Sequence, residues 1–206
     1  MNSKWEYEDK YWGAGRLVIG IDEVGVGCFA GPLVACAVVF NPNTPKVSGL
    51  NDSKKVTEKK REPLAEKIMD HALACNVQYI SVIELNQIKN VMVASRIAME
   101  RSLEEVLKQI HYDIPPVVIV DFHKIKVPRG CTLIAEPKMD TKCASVMAAS
   151  ICAKVDRDNY MIFIHEEYPQ YDYIHNKGYG TRMHKEAIAK FGLTKDHRTF
   201  LNLKPL

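Results

Sequence analysis

Four carboxylates carry the chemistry that this sequence can do. Asp22 and Glu23 sit side by side at the end of Leu17-Val18-Ile19-Gly20-Ile21, an apolar run short enough for a strand buried on both faces. Asp121 is the first polar residue after Val117-Val118-Ile119-Val120, a wholly β-branched run. Asp140 begins a long, mostly apolar helical stretch, residues 141–167, where its charge suits the positive helix end. Acids at the lip of a buried strand are costly unless paired or bound to a cation, and no obvious basic residue stands beside these. If the strands ending at 22 and 121 are neighbours, both carboxylates emerge at one sheet edge, where ligands of open α/β sheets collect. Hard oxygen ligands from three distant segments suit Mg²⁺ or Mn²⁺, and two such ions bridged by carboxylates serve in-line phosphodiester chemistry. Plainer readings stand beside these: Asp140 as a helix N-cap, Asp121 as a turn residue.

The pair Asp22-Glu23 leads into a glycine-punctuated turn (Gly25, Gly27, Gly31-Pro32) and a second apolar run, residues 33–40. Glycines there let backbone N–H groups approach a phosphate closely. On that stretch alone, an ordinary polar strand end turning through glycines is an equally good account. The seven histidines have no metal-ligand spacing and no attached Ser or Cys nucleophile, so triad chemistry lacks support.

The elements that must position these groups follow in order. Residues 1–15 are a lead-in whose Trp5, Tyr7, Tyr11 and Trp12 pack on the body, 16–168 are the core, and 169–206 are a helical and looped C-terminal part. After the loop 41–50, Asn51-Asp52-Ser53-Lys54-Lys55 precedes a helix reaching about residue 73. Thr57 is its possible N-cap, and Pro63 argues for a regular start nearer Glu62, with proline in the first turn. A strand is expected over 77–83, a short and a longer helix over 84–110, and strands over 117–120 and 131–135. The helix 141–167 carries small residues (Ala144, Ser145, Ala148, Ala149, Ser150, Ala153) suited to close packing on a sheet. Residues 168–181 read as a loop and 182–191 as a final helix. Strands mixed with helices and no second core give the α/β class.

At 206 residues the chain fits one large domain, and its 47% hydrophobic content suffices for a sizeable core. A net charge of +3 does not by itself announce a nucleic-acid partner, and each small basic cluster taken singly reads as a solvated face. The six cysteines form no CxxC pair and lie mostly in apolar runs, which points to reduced, buried thiols in a cytoplasmic protein rather than a disulfide framework or zinc site. No stretch has the form of a signal peptide or the length of a membrane span, so no membrane partner is expected.

Taken together, these residues resemble type 2 ribonuclease H, ribonuclease HII. The opening motif GIDEVGVGCFAGPLVACAV is similar to that family's, and four further stretches match in the same order: Asn51 to Lys55, Val118 to Asp121, the block running from Asp140 through Ala148-Ala149-Ser150-Ile151-Cys152-Ala153-Lys154-Val155-Asp156-Arg157-Asp158, and His175-Asn176-Lys177-Gly178-Tyr179-Gly180-Thr181. The tail His197-Arg198-Thr199-Phe200 is also family-like. The resemblance implies a ribonuclease H-like mixed β-sheet flanked by helices, with a helical C-terminal extension. It implies Asp22, Glu23, Asp121 and Asp140 as catalytic metal ligands for Mg²⁺ or Mn²⁺. The implied reaction is hydrolysis of the RNA strand of an RNA–DNA hybrid to 5′-phosphate and 3′-hydroxyl ends, a metal-activated water attacking phosphorus while a second metal stabilises the leaving oxygen. It further implies that Tyr179 stacks on a sugar at an RNA–DNA junction, and that the loop Gly25-Val26-Gly27 reads the 2′-hydroxyl through backbone groups. Ser53, Lys54, Lys55 and Arg157 join the substrate-binding set, Arg157 being equally a structural partner for a buried acid. A monomer is the default.

The chain departs from the family's usual pattern at three places. Val26 replaces the arginine of Gly-Arg-Gly, Phe122 stands where glycine is usual after Asp121 and crowds the site's edge, and Pro63 interrupts a helix. The sister type, ribonuclease HIII, also lacks that arginine, but it usually has glutamate at the place of Asp140 and an extra N-terminal domain for which this chain has no room. Val26 leads to the expectation that hybrids with several ribonucleotides are cut better than a lone ribonucleotide in DNA. Two other classes compete: a DNA nuclease on the same fold, and a hybrid-binding protein impaired in catalysis. The four intact carboxylates argue against the second.

Overall fold

The computed structural model describes residues 4–121, 124–201 and 203, so Phe122 and residues 204–206 at the C-terminal end lie outside the described residues. The apolar run that delivers Asp22 and Glu23 is the middle strand of five. β1 (Val18–Val24) lies between β2 (Leu33–Phe40) and β4 (Val117–Asp121), with β3 (Ala72–Ile80) and β5 (Thr132–Glu136) at the edges. The β1–β2 and β2–β3 pairs are antiparallel, and the β1–β4 and β4–β5 pairs are parallel. Every residue of β2 is buried, as are the first five of β1, because the sheet is covered on both faces.

Side-chain alternation sends β1 residues to two separate cores. Ile19 and Ile21 meet Leu33, Ala35 and Val120 on the face covered by α4 (Val91–Gln109), against Ala94, Ala98, Met99 and Leu103. The other face is covered by α5 (Ala144–Glu167), whose Ala144, Met147, Ala148 and Ile151 pack on Val34, Cys36 and Val38. A Cβ at Gly20 would come within 2.2 Å of the Ser145 backbone, so glycine in β1 and small residues in α5 set how closely helix and sheet approach.

The lead-in folds as α1 (Glu6–Trp12) and completes α5. The α5 N-cap, Cys143, makes no side-chain cap bond; instead the fully buried Glu8 accepts from the Ser145 N–H at 2.7 Å and the Ser145 hydroxyl at 2.8 Å. A carboxylate from α1 thus serves the positive end of the long helix. Asp140 lies before it, in a separate 3₁₀ turn, Met139–Thr141, and is neither the N-cap nor the first helical residue that the sequence suggests.

Three further boundaries differ from expectation. The helix α2 (Glu58–His71) starts directly after Thr57 and carries Pro63 in its second turn. Proline there forgoes one bond, to the carbonyl of the exposed Lys59, and the helix continues through it. α2 passes without a loop into β3, which therefore begins at Ala72 and not at residue 77. β3 ends at Ile80 because Ser81 and Glu84 form a capping box that opens α3 (Val82–Ile88), claiming Val82 and Ile83 from the expected strand.

The expected loop 168–181 holds a 3₁₀ turn, Pro169–Tyr171, and one helical turn, α6 (Tyr173–Asn176), before α7 (Arg182–Phe191). These pack Tyr171, Tyr173, Ala187 and Ile188 against Ala30 and Met161. No described helix is long and apolar enough to cross a membrane. All six cysteines are free.

Candidate active site

The parallel register of β1 and β4 pairs Ile19 with Val118, Gly20 with Ile119 and Ile21 with Val120. Asp22 and Asp121 are the next step of that ladder. Gly20 faces α5, and Ile119 packs with Val146 of α5, so by alternation both aspartates project from the α5 face. Glu23 starts from the opposite face, one residue further on. The Asp121 carboxylate accepts the Met139 N–H at 3.1 Å, which fixes the turn carrying Asp140 against the end of β4. Strand order and one turn thus bring together carboxylates separated by up to 118 positions in sequence.

The electrostatics of the cluster are those of crowded anions. Asp22 is pushed up to about 7, chiefly by burial and further by Asp121 and Asp140, against a hydrogen bond from the Ser150 hydroxyl. Glu23 is pushed up to about 8 by burial and by Asp22 and Asp121, while Lys54 works the other way. Asp140 is also raised by burial and by Asp121 and Asp52, with Lys54 and Lys55 opposing. Four oxygen-donor side chains gathered in this way fit a divalent cation of the Mg²⁺ or Mn²⁺ kind: the donors are hard, and the ion's charge offsets the repulsion that raises Asp22, Glu23 and Asp140.

The segment 51–55 reaches the site from its side. Ser53 is buried, its hydroxyl 2.9 Å from that of Ser150, which in turn holds Asp22. Asp52 turns the chain by accepting the Lys54 N–H at 2.9 Å, and Lys54 and Lys55 are exposed beside Asp140 and Glu23. The two lysines face solvent beside the carboxylates, whereas Ser53 lies beneath the surface.

Gly25 and Gly27 are glycines for different reasons. Gly25 has φ +93, and a Cβ there would lie 2.4 Å from Arg157 Nε, so both conformation and packing require it. Gly27 is exposed, is outside the left-handed region, and has nothing within 4 Å of a Cβ position. Val26, between them, is half-buried against the α4-side core. Tyr179 forms an antiparallel bridge with Cys28 and leaves 39% of its surface exposed beside this loop. Gly178 makes that possible, since a Cβ there would be 2.4 Å from the Ala30 carbonyl oxygen.

Arg157 is not a phosphate ligand, nor is it the partner of a buried acid. It is fully buried and donates only to main-chain carbonyls: Pro32 at 3.0 Å, Ala30 at 3.0 Å and Lys177 at 2.9 Å. Arg198 is its twin, also fully buried, donating to Gly31 at 3.0 Å, Pro32 at 3.0 Å and Val26 at 3.2 Å. Burial and the neighbouring Arg157 pull Arg198 down to about 10, which leaves it charged at neutral pH. Two guanidiniums thus tie the 25–32 loop to the 177–179 strap and the C-terminal segment. Sequence reasoning gave Arg198 no role and Ser150 only that of a small packing residue, although both fall in stretches carrying the family resemblance; a buried arginine bonded to carbonyls has no charged partner to betray it.

The ribonuclease HII family model matches residues 19–204. The ribonuclease HII of Lactobacillus johnsonii is 40% identical over 196 residues, covering 95% of this chain and 75% of that one. Among solved structures, ribonuclease H2 from Pyrococcus horikoshii superimposes with a TM-score of 0.71 at 26% identity, covering 91% of this chain and 94% of that one. Bst-RNase HIII, solved in complex with Mn²⁺, superimposes with a TM-score of 0.72 at 19% identity over 92% of this chain and 68% of its own, a likeness of fold. The chain belongs to the ribonuclease HII family, metal-dependent hydrolases of ribonuclease H type 2.

Proposed function

We propose that this chain hydrolyses the RNA strand of RNA–DNA hybrids endonucleolytically, leaving 5′-phosphate and 3′-hydroxyl ends. The observation that carries the reading is the carboxylate cluster: Asp22 and Asp121 in register, Glu23 and Asp140 beside them, with burial and mutual repulsion raising Asp22 and Glu23. Asp22, Glu23, Asp121 and Asp140 would hold Mg²⁺ or Mn²⁺. When bound, two such ions supply an activated water for attack on phosphorus and charge stabilisation for the leaving 3′-oxygen.

The chain's own residues orient the substrate. Lys54 and Lys55 take backbone phosphates, and the Tyr179 ring offers a platform for a sugar at an RNA–DNA junction. The fold does not demand glycine at position 27, so a close approach of substrate to the main chain is the reason left for it; backbone groups at Gly25, Val26 and Gly27 reading a 2′-hydroxyl fit that requirement. Ser53 and Ser150 orient Asp22, and Arg157 and Arg198 hold the loop from beneath.

Val26 supports a preference within this activity. Its side chain is drawn into the α4-side core and offers no charge to the substrate, so runs of ribonucleotides are cut better than a lone ribonucleotide in DNA. The enzyme acts as a monomer in the cytoplasm, where its free thiols stay reduced. The test is cleavage of an end-labelled hybrid with Mg²⁺ or Mn²⁺, with product ends typed by a 5′-phosphate-dependent exonuclease. Metal-dependent internal cuts with 5′-phosphate ends support the reading; cutting of all-DNA duplex at the same rate sinks it.

A further inference from the structure

Three of the six cysteines, far apart in sequence, converge behind the carboxylate site. Cys36 of β2, Cys75 of β3 and Cys152 of α5 have their sulfurs all within 4.8 Å of one another. Cys36 is fully buried in the α5-side core, and Cys75 is partly exposed on an edge strand, which gives the cluster a way in from solvent.

We propose that Cys36, Cys75 and Cys152 form a thiolate site for one thiophilic divalent ion of the zinc class, separate from the carboxylate site. The Cys36 and Cys75 sulfurs are 3.7 Å apart. Two thiolates on a tetrahedral zinc with bonds of about 2.3 Å lie about 3.8 Å apart. A disulfide requires about 2.05 Å, so these sulfurs stand at ligand-to-ligand spacing. The three sulfurs come from β2, β3 and α5, so the sheet and the helix packed on it hold the cluster together without a loop.

Asp156 follows Cys152 by one turn of α5 and lies close enough to act on its thiol. Its carboxylate accepts from the Tyr79 hydroxyl of β3, which orients it over the same strand pair. Asp156 lies outside the sulfur cluster and acts on it from one helical turn away, so three thiolates hold the ion and the fourth tetrahedral position is left to water. Binding is balanced by protons: the thiols that are protonated without the ion release them as zinc binds. Ligand hardness sorts the two sites, since Mg²⁺ and Mn²⁺ prefer the carboxylates and a thiophilic ion prefers the sulfurs. The sites are nonetheless linked, because Cys36 is the cross-strand partner of Asp22 and Cys152 lies two residues beyond Ser150.

The experiment titrates the reduced full-length chain with Co²⁺, a spectroscopic stand-in for Zn²⁺, in excess Mg²⁺. The expected result is one equivalent bound with a near-ultraviolet sulfur-to-cobalt charge-transfer band, bleached by Zn²⁺. Cys75→Ser and Cys152→Ser weaken binding at least about a hundredfold, since even outer partners of a metal ligand are worth about 10–100-fold. Asp121→Asn keeps the band. Cys75→Ala, at a partly exposed position, and circular dichroism of each variant separate lost ligation from lost folding. No sulfur-to-cobalt band, a band that survives Cys75→Ser, or a Cys36–Cys75 disulfide formed in place of metal binding would each overturn the site.

Discussion

Asp22 and Asp121 occupy equivalent positions on adjacent parallel strands, one ladder step beyond the Ile21–Val120 pair, and both project toward α5. Neither strand alone makes a site. Their pairing puts two carboxylates on one face of the central strands, where β4 ends, and the Met139 N–H bond to Asp121 adds Asp140. Asp121→Asn is therefore expected to leave the fold intact while lowering hybrid cleavage at least about a hundredfold, on the scale of removing one fixed electrostatic group from an active site. Steady-state cleavage beside a thermal melt checks both halves; full activity in the variant contradicts the assignment.

The raised carboxylates give a pH dependence of definite sign. For Asp22 and Glu23 the folded-state values, about 7 and about 8, exceed those of the unfolded chain. The metal-free folded protein then binds more protons than the unfolded one. This contribution to stability is complete below about pH 4 and is lost as pH rises through 7 to 8. Divalent cations compete with those protons, so the rise in Tm on adding Mg²⁺ should grow from pH 5.5 to about 8.5. Melting curves with EDTA and with Mg²⁺ across that range test it, and a Mg²⁺ shift independent of pH contradicts it.

The two loop glycines separate structure from recognition. Gly25→Ala forces a Cβ at positive φ onto Arg157 and should destabilise by more than about 1 kcal/mol. Gly27→Ala meets open space and should leave Tm within about a degree, yet lower cleavage of RNA-containing duplexes. Equal activity of Gly27→Ala and wild type would remove the case for backbone reading at that position.

Arg157→Met leaves the carbonyls of Ala30, Pro32 and Lys177 without their donor, at about 1–3 kcal/mol for each buried group that stays unsatisfied. Denaturant unfolding should show a loss of at least about 2 kcal/mol, with the residual activity of the folded fraction also reduced because the loop is no longer held. A variant as stable as wild type would contradict the supporting role.

Much of this was legible in the sequence. Apolar runs leading into acids marked β1 and β4, although β1 does not stop at Asp22 and Glu23 but stays paired with β2 to Val24, and the small residues of the 141–167 stretch foretold a helix lying close on the sheet. What the sequence hid was contact at a distance. Glu8 capping α5, Arg198 beneath Val26, and three cysteines from β2, β3 and α5 meeting at one point leave no local pattern, because each depends on pairing between segments. Boundaries moved where a stronger local signal won: the Ser81–Glu84 capping box cut short the expected strand, and α2 ran through Pro63 because only one bond near its start was lost.

Val26 is tested by Val26→Arg, which places a positive charge between Gly25 and Gly27. The ratio of lone-ribonucleotide to hybrid cleavage should rise on substitution. An unchanged ratio would mean that the side chain at this position does not set the preference.

The most direct measurement is a cleavage panel: an RNA–DNA hybrid, a DNA duplex with one embedded ribonucleotide, and an all-DNA duplex, each with Mg²⁺, Mn²⁺ or EDTA, for wild type and Asp121→Asn. The expected result is metal-dependent cutting of the hybrid, weaker cutting at the lone ribonucleotide, none of all-DNA, and loss of all cutting in EDTA or in the variant. Hybrid bound but uncut under every condition, or cut equally well by Asp121→Asn, would contradict a carboxylate-held metal site as the seat of hydrolysis.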